Sequence, residues 1–264
     1  MGTVVSIELR APVAPEAAID AACAVLHDVD RRFSLYLPDS ELSRLARGEL
    51  GERDLSSDVR WVLAVCDSLA LSSGGAFDAR RHRPDGAVDP SAFVKGWAVE
   101  LAAACLDAAG AANYCIGAGG DVLTRGEAAP GEAWRVGIRH PVQADRVAAV
   151  LEMRTGAVAT SGLYERGDHI HDPRTGAVPR ELMSLTVVGP DLGWADAYAT
   201  AAFTMGLGGT GWVEDHPGYG AVAITADGQV IWSASAHAHR APDLAEDPAS
   251  TSALSGGSHL GVVS

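Results

Sequence analysis

Residues 113–139 read NYCIGAGGDVLTRGEAAPGEAWRVGIR and give the first indication of the fold class. Short runs rich in β-branched and aromatic residues alternate with glycine-rich turns, a pattern typical of strands that follow one another along the chain. The strands predicted in the middle of the chain are 113–117, 122–125, 134–139, 147–153 and 157–160. Successive strands without a helix between each pair favour an α+β fold, with mostly antiparallel sheets and packed helices, over a doubly wound parallel sheet.

Helices and further strands are predicted on both sides of this region. Residues 15–32 place Ile19, Cys23, Leu26 and Val29 on one helical face. Three further helices are predicted: one from Ser56 or Ser57 to Gly74, one from about 92–95 to Gly110, and one over 194–205. The other predicted strands are 3–9, 184–188, 220–225 and 230–234.

The chain is predicted to form one domain, residues 1–236, followed by a tail. From residue 237 to residue 264, alanine, serine, glycine, proline and aspartate dominate. Such a segment buries too little apolar surface to offset the entropy lost on ordering. Residues 237–264 are therefore predicted to be disordered.

The 264-residue chain has a formal net charge of -14. This charge argues against nucleic-acid binding, which needs clustered Lys and Arg, and an anionic ligand would need a metal ion, a lysine or helix N-termini. No signal peptide or transmembrane segment is visible, so the chain as given is expected to be cytoplasmic, and exported only if a leader was removed. The four cysteines form no CxxC pair, and buried free thiols are expected.

Segment 88–98, VDPSAFVKGWA, places a lysine at the start of a predicted helix. The helix dipole disfavours a cation at this end. A bound phosphate would reverse that effect, because the helix N-terminus and the ammonium group both attract it. Lys95 is therefore a candidate phosphate ligand, and a solvated lysine after a turn is the alternative.

Segment 116–122, IGAGGDV, is rich in glycine and ends on an acidic residue. Glycines let the backbone approach a ligand closely, and Asp121 could accept a hydrogen bond from it. Strand-like sequence follows where a dinucleotide-binding fingerprint needs a helix. A plain β-turn or bulge explains the segment equally well.

Segment 159–176, ATSGLYERGDHIHDPRTG, is dense in hydroxyl, histidine, aspartate and arginine side chains. Histidine titrates near neutral pH and suits a general base. The segment indicates an acid–base or metal cluster, and a polar surface turn is the alternative.

Asp196 and Thr200 lie one turn apart in the predicted helix 194–205, so their side chains share a face. A carboxylate and a hydroxyl can supply two oxygen ligands to Mg²⁺. In the alternative interpretation, Asp196 helps to cap the helix and Thr200 bonds back to its own backbone.

Eight short segments follow one another along residues 1–234. They are Met1-Gly2-Thr3, Phe33-Ser34-x-Tyr36, Ala76-Phe77-Asp78, Asp89-x5-Lys95-Gly96-Trp97-Ala98, Gly119-Gly120-Asp121, Thr160-Ser161-Gly162, His169-Ile170-x-Asp172-Pro173-x-Thr175-Gly176 and Ala195-Asp196-Ala197-x-Ala199-Thr200-Ala201. In this order they resemble the successive motifs of the FAD:protein FMN transferases, the ApbE family.

The resemblance implies a single α+β domain related to the T-fold, with FAD bound in a cleft as the substrate. It implies Mg²⁺-dependent transfer of FMN to a Thr or Ser hydroxyl of an acceptor protein, with release of AMP. His169 matches the base that activates the hydroxyl, and His171 lies outside the matched position and is expected to tolerate replacement. The implied Mg²⁺ ligands are Asp196, Thr200 and the backbone oxygen of Ala92. The implied FAD contacts are Met1, Tyr36, Ala76, Phe77, Asp78, Asp89, Lys95, Gly119, Gly120, Asp121 and Ile170.

Two other functions remain open from the sequence. An FAD pyrophosphatase would use water in place of the acceptor and release FMN and AMP; an aromatic residue at Tyr36 argues for transfer, because it would help to shield the phosphate from water. A flavin-binding protein without catalysis would not need Asp196, Thr200 and His169 together.

Overall fold

The main feature of the fold is a seven-stranded antiparallel sheet of strand order β1-β2-β3-β6-β7-β8-β9. A computed structural model describes residues 3–10, 14–81, 87–143, 145–163, 170–242 and, as backbone, 260–263. A smaller sheet has the order β10-β4-β5, in which β10 runs parallel to β4. The strands are β1 (Val5–Leu9), β2 (Tyr114–Ala118), β3 (Asp121–Arg125), β4 (Trp134–Arg139), β5 (Val147–Met153), β6 (Gly156–Gly162), β7 (Leu182–Gly189), β8 (Gly220–Thr225), β9 (Val230–Trp232) and β10 (Leu260–Val263).

Helices cover one face of the large sheet, except the last and shortest of them, whose buried Ala236 belongs to the core on the other face. They are α1 (Glu16–Phe33), α2 (Glu41–Ala46), α3 (Ser57–Ser72), α4 (Ser91–Ala108), α5 (Leu192–Thr204), α6 (Gly209–Glu214) and α7 (Ala234–His237). Helix α4 packs between α1 and α5, and α5 packs on β6 and β7. Nearly every residue of α5 is buried, which explains its Ala-rich sequence without a polar face.

The large sheet separates two hydrophobic cores. Leu185 and Val187 of β7 face the helices, whereas Val188 faces the core shared with the small sheet, to which β4 contributes Trp134 and Val136. Alternate side chains of a strand point to opposite faces, so both sets are buried. This two-sided burial accounts for near-continuous apolar runs in an antiparallel sheet, which more often shows polar alternation.

The α+β prediction is confirmed, with mixed helices and antiparallel sheet in a single domain. Strands 134–139, 147–153 and 220–225 match the prediction to the residue, and the other predicted elements are found with small shifts of their ends. The sequence interpretation missed α2, α6, α7 and β10. These elements have six residues or fewer, too short for a hydrophobic period to stand out.

The packed part of the chain extends beyond the predicted boundary at residue 236. The backbone N–H of Glu152 donates to the carbonyl of His239 at 2.7 Å, and the N–H of Ala241 donates to the carbonyl of Val150 at 3.0 Å. Residues 260–263 pair with β4. Backbone hydrogen bonds thus join His239, Ala241 and residues 260–263 to the small sheet. Residues 243–259 and 264 lie outside the described part, and the disorder predicted for the tail stays a prediction there.

The four cysteines are free thiols, as expected, but they are not all buried. Burial raises the pKa of Cys66 and of Cys115 to about 12, whereas Cys23 is exposed. Among the described helices, none combines the length and the apolar character that crossing a bilayer requires.

Candidate active site

A cleft of about 330 Å³ opens where the N-terminus of α4 meets the C-terminal half of α5. Six of the residues that line it were predicted as site residues: Ala76, Phe77, Asp78, Asp89, Ala92 and Thr200. Five were not predicted: Ala79, Ser91, His171, Pro173 and Thr204. Motifs that are far apart in the sequence thus converge on one site.

Asp78 and Asp89 bring two carboxylates to the cleft, and each also holds a turn. The backbone N–H of Arg80 donates to Oδ1 of Asp78 at 2.8 Å, and the N–H of Ser91 donates to Oδ1 of Asp89 at 3.0 Å. Side-chain acceptors of this kind fix tight turns and helix starts. The turn at Asp89 presents the first residues of α4 to the cleft.

Lys95, Asp121 and Asp196 form an ion cluster beside the cleft, contributed by α4, β3 and α5. Nζ of Lys95 lies 2.6 Å from Oδ2 of Asp121 and 3.5 Å from Oδ2 of Asp196. Burial disfavours the ammonium, but the two carboxylates outweigh it and hold the pKa of Lys95 above its ordinary value. Lys95 therefore remains a cation between two acids.

Asp196 and Thr200 occupy the same face of α5, as predicted from their spacing. Asp196 is 4% exposed, and the partner given for its Oδ2 within the described ranges is the ammonium of Lys95 at 3.5 Å. Burial, and secondarily the charge of Asp121, raise the pKa of Asp196 against the opposing effect of Lys95. Thr200 lines the cleft, and its Oγ1 lies 3.2 Å from Oγ of Ser161.

These groups fit a hard cation. Two buried carboxylates, Asp121 and Asp196, share the single ammonium of Lys95, and a bound cation would balance the remaining negative charge. Mg²⁺ prefers oxygen ligands and binds through one or two carboxylates together with substrate phosphates. No cluster of three or more His, Cys, Asp and Glu side chains suited to a metal occurs in the described ranges. A site here would instead combine Asp196 with Thr200 and the backbone oxygen of Ala92.

The crossing of α4 and α5 at two glycines sets the spacing of the ion cluster. A Cβ placed on Gly96 would lie 2.3 Å from the carbonyl oxygen of Leu192, and one on Gly193 would lie 3.2 Å from the backbone N of Trp97. Glu100 ties the two helices together, because its Oε1 accepts from the N–H of Leu192 at 2.8 Å. Lys95 is adjacent to this crossing and Asp196 is one turn beyond it.

We expect Gly96→Ala to separate the helices. The clash involves backbone atoms, so α4 and α5 must shift apart, which should lower the free energy of unfolding by roughly 1–3 kcal/mol and reduce enzymatic turnover. Urea unfolding would measure the first effect. Gly211→Ala is the control, because Gly211 lies in α6 with no atom within 4 Å of an added Cβ; its stability should be unchanged or slightly higher. Equal stability of both variants would contradict the close-crossing interpretation.

A second network fixes the wall formed by 170–177 and the end of α5. Arg174 forms a bidentate pair with Asp172, with Nε at 2.8 Å from Oδ1 and Nη2 at 2.9 Å from Oδ2, and Nη2 also donates to the carbonyl of Thr204 at 3.1 Å. The hydroxyl of Thr204 donates to the carbonyl of Ala76 at 2.7 Å. Burial opposes the charge of Asp172, but Arg174 lowers the pKa of Asp172 below its ordinary value. The paired charges tie three cleft-lining segments together.

Removing the Thr204 hydroxyl should loosen this wall. Thr204→Val keeps the shape of the side chain and leaves the Ala76 carbonyl without this donor, which should cost about 1–3 kcal/mol of stability and weaken ligand binding in the cleft. Thr210→Val is the matched control, since the Thr210 hydroxyl makes an exposed bond to Leu207, and its change should stay within about 0.5 kcal/mol. Equal urea unfolding midpoints for Thr204→Val and Thr210→Val would contradict a structural role of the Thr204 hydroxyl.

Comparison with known proteins identifies the family. The family model described as the ApbE family matches residues 1–83 and 79–223, which is most of the chain. The chain belongs to the ApbE family. A FAD:protein FMN transferase of Salmonella typhimurium is 31% identical over 137 residues, covering 48% of this chain and 39% of the relative. A FAD:protein FMN transferase of Haemophilus influenzae is 26% identical over 245 residues, covering 69% of this chain and 71% of the relative.

Solved ApbE structures share the fold. The flavin transferase ApbE from Vibrio cholerae superposes with a TM-score of 0.80 at 25% identity, over 90% of this chain and 96% of that chain. The present chain spans about two fifths of the length of several curated ApbE relatives that it matches. Family membership and fold are therefore shown.

Some residues expected from the ApbE motifs lie away from the cleft lining. Gly119 and Gly120, with φ of 54° and 91°, form the turn between β2 and β3, which is the alternative that the sequence left open. Tyr36 is 85% exposed, and Ile170 belongs to the core under the helices. Met1 and His169 lie outside the described residues.

The FAD contact expected of Asp121 stays a prediction. Its side chain is fully buried, with Oδ1 accepting from the N–H of Thr160 at 3.2 Å and Oδ2 2.6 Å from Nζ of Lys95. Asp121 therefore holds Lys95 in place between β3 and α4.

Among the cleft residues that sequence reasoning missed, two had a detectable signal. His171 and Pro173 stand within the polar segment 159–176, whose composition indicated a functional cluster. Thr204 gave no signal, because its partner Ala76 is 128 residues away. Only the folded chain brings that pair together.

Proposed function

We propose that this chain transfers FMN from FAD to a Thr or Ser hydroxyl of an acceptor protein, in a Mg²⁺-dependent reaction that releases AMP. The proposal rests on membership of the ApbE family and on relatives named FAD:protein FMN transferase. The observation that carries it is the buried Asp196 carboxylate, whose Oδ2 is held, among the described residues, only by the 3.5 Å ion pair with Lys95, one helical turn from Thr200 in the cleft.

The residues of the chain would bind and orient the dinucleotide. Ser91 and Ala92, in the first turn of α4, line the cleft, so the positive end of the helix dipole lies beside it, a favourable place for a phosphate. Lys95 forms ion pairs with Asp121 and Asp196 and holds the two carboxylates in place. Asp196, Thr200 and the Ala92 oxygen would hold Mg²⁺, which supplies charge neutralisation for phosphoryl transfer when it is bound.

The chemical step is a substitution at phosphorus. A general base, by family match His169, takes the proton of the acceptor hydroxyl, and the oxygen attacks the phosphorus on the FMN side. The bond to the AMP phosphate oxygen breaks, and AMP leaves with its electron pair. Phosphoryl transfer depends on positioning and charge stabilisation more than on covalent help from the enzyme.

FAD hydrolysis is the second candidate, and one observation favours it. Tyr36, which was expected to shield the phosphate, is 85% exposed and is absent from the residues described as lining the cleft. Water could then take the place of the acceptor hydroxyl. Both candidates use the same cleft and release AMP.

Release of AMP tests the part that both candidates share. The chain would be incubated with FAD and either Mg²⁺ or excess chelator, and AMP would be separated by chromatography. We expect AMP only with Mg²⁺, and restoration when Mg²⁺ is added back. Equal release in chelator would contradict metal dependence, and no release with or without an acceptor would contradict the proposed chemistry.

A further inference from the structure

His171 lines the cleft, although the family match places it outside the expected site. Its position is fixed from both sides. Ile170 is buried in the core, and Asp172 anchors a turn in which its carbonyl accepts from the N–H of Gly176 at 2.7 Å and its N–H donates to Ala177 at 2.8 Å. Because both neighbours are anchored, the backbone at His171 needs little further ordering when a ligand binds.

The charge of the cleft lining makes His171 important for binding an anion. Two carboxylates, Asp78 and Asp89, lie in the lining, and no Lys or Arg is found among its described residues. The diphosphate of a dinucleotide is an anion and would be repelled by those carboxylates. His171 is the one described lining side chain that offers ring N–H donors and can carry a positive charge.

We propose that His171 is a substrate-binding residue that donates an imidazole N–H to a phosphate oxygen of the dinucleotide. The inference rests on the proposed function, since it takes FAD as the ligand. It assigns His171, in the cleft wall formed by 170–177, to the phosphates, with His169 left to the acceptor hydroxyl. Pro173 and the Asp172–Arg174 pair keep the wall in place.

Three substitutions separate a phosphate contact from other roles. His171→Leu removes the donors, His171→Gln keeps a neutral N–H donor, and His171→Phe keeps a ring without a donor. By titration calorimetry, we expect His171→Leu and His171→Phe to weaken the affinity for FAD by about 10-fold to 100-fold, which corresponds to the loss of one hydrogen bond to a charged group. Gln should recover part of that loss. The melting temperatures of all three should match the parent.

Steady-state rates give a second readout. A residue that binds the phosphates should raise KM for FAD in His171→Leu, and saturating FAD should restore most of kcat. Parent-like affinity in His171→Leu would overturn the inference. So would parent-like affinity in His171→Phe with weak binding in His171→Gln, because that pattern indicates ring stacking. If His171→Leu fails to fold, the comparison of Gln with Phe decides.

The same titration with FAD distinguishes failure of the proposed function from failure of the role assigned to His171. If the parent chain does not bind FAD, the proposed function falls and the inference falls with it. If the parent binds FAD and releases AMP while the three variants bind equally well, only the role of His171 is contradicted.

Discussion

Asp196→Ala is expected to abolish Mg²⁺-dependent release of AMP from FAD while the protein remains folded. Loss of the carboxylate ligand should lower turnover by at least about 10³-fold, because metal neutralisation of phosphate charge contributes several kcal/mol to such reactions. The ammonium of Lys95 keeps Asp121 as its partner at 2.6 Å, so no isolated buried charge remains. AMP release at saturating FAD and circular dichroism would be measured together.

The neighbouring Asp191 provides a control for helix capping. Its side chain accepts from the N–H of Trp194 at 3.0 Å, so Asp191, and not Asp196, caps α5. Asp191→Ala should cost about 1 kcal/mol of stability and leave the dependence on Mg²⁺ unchanged. If Asp196→Ala instead turned over FAD at the parent rate, the assignment of Asp196 to the metal would be wrong.

His169→Ala is expected to retain FAD and Mg²⁺ binding and to lose FMN transfer by roughly 10²–10⁴-fold, the usual worth of a general base. The base acts only when it is deprotonated. The parent rate should therefore rise with pH across the range in which a free imidazole loses its proton, near pH 6.5, and the variant should lack this rise. Initial rates between pH 5 and pH 8 would be compared.

His171 gives the contrast for this experiment. Its replacement should act on KM for FAD, whereas replacement of His169 should act on kcat. Should His169→Ala work at the parent rate while His171→Ala loses kcat, the base would have to be assigned to His171. A parallel fall of stability and FAD affinity in His169→Ala would indicate a structural role for His169.

The larger helices and strands could be predicted from local sequence patterns. Strands 134–139 and 147–153 are predictable because the residues that each packs into a core stand at alternate positions. The spacing of Asp196 and Thr200 placed both on one face of α5, since residues four apart in a helix are neighbours. These features depend on residues that are close in sequence.

Contacts between distant residues could not be predicted in this way. The pairing of Lys95 with Asp121 depends on how β3 lies against α4, and the bond from Thr204 to Ala76 joins residues 128 positions apart. The backbone pairing of 260–263 with β4 likewise depends on a sheet edge that the tail composition does not reveal. The roles of His169 and Met1 stay predictions, because both residues lie outside the described ranges.

Mass spectrometry of an acceptor protein after reaction separates transfer from hydrolysis. The chain would be incubated with FAD, Mg²⁺ and a candidate acceptor carrying a Thr or Ser flavinylation motif. We expect the acceptor to gain the mass of one FMN and AMP to appear in equal amount, with no gain when the acceptor hydroxyl is replaced by Ala or when Asp196→Ala is used. Free FMN and AMP with an acceptor of unchanged mass would contradict the transferase and identify the chain as an FAD pyrophosphatase.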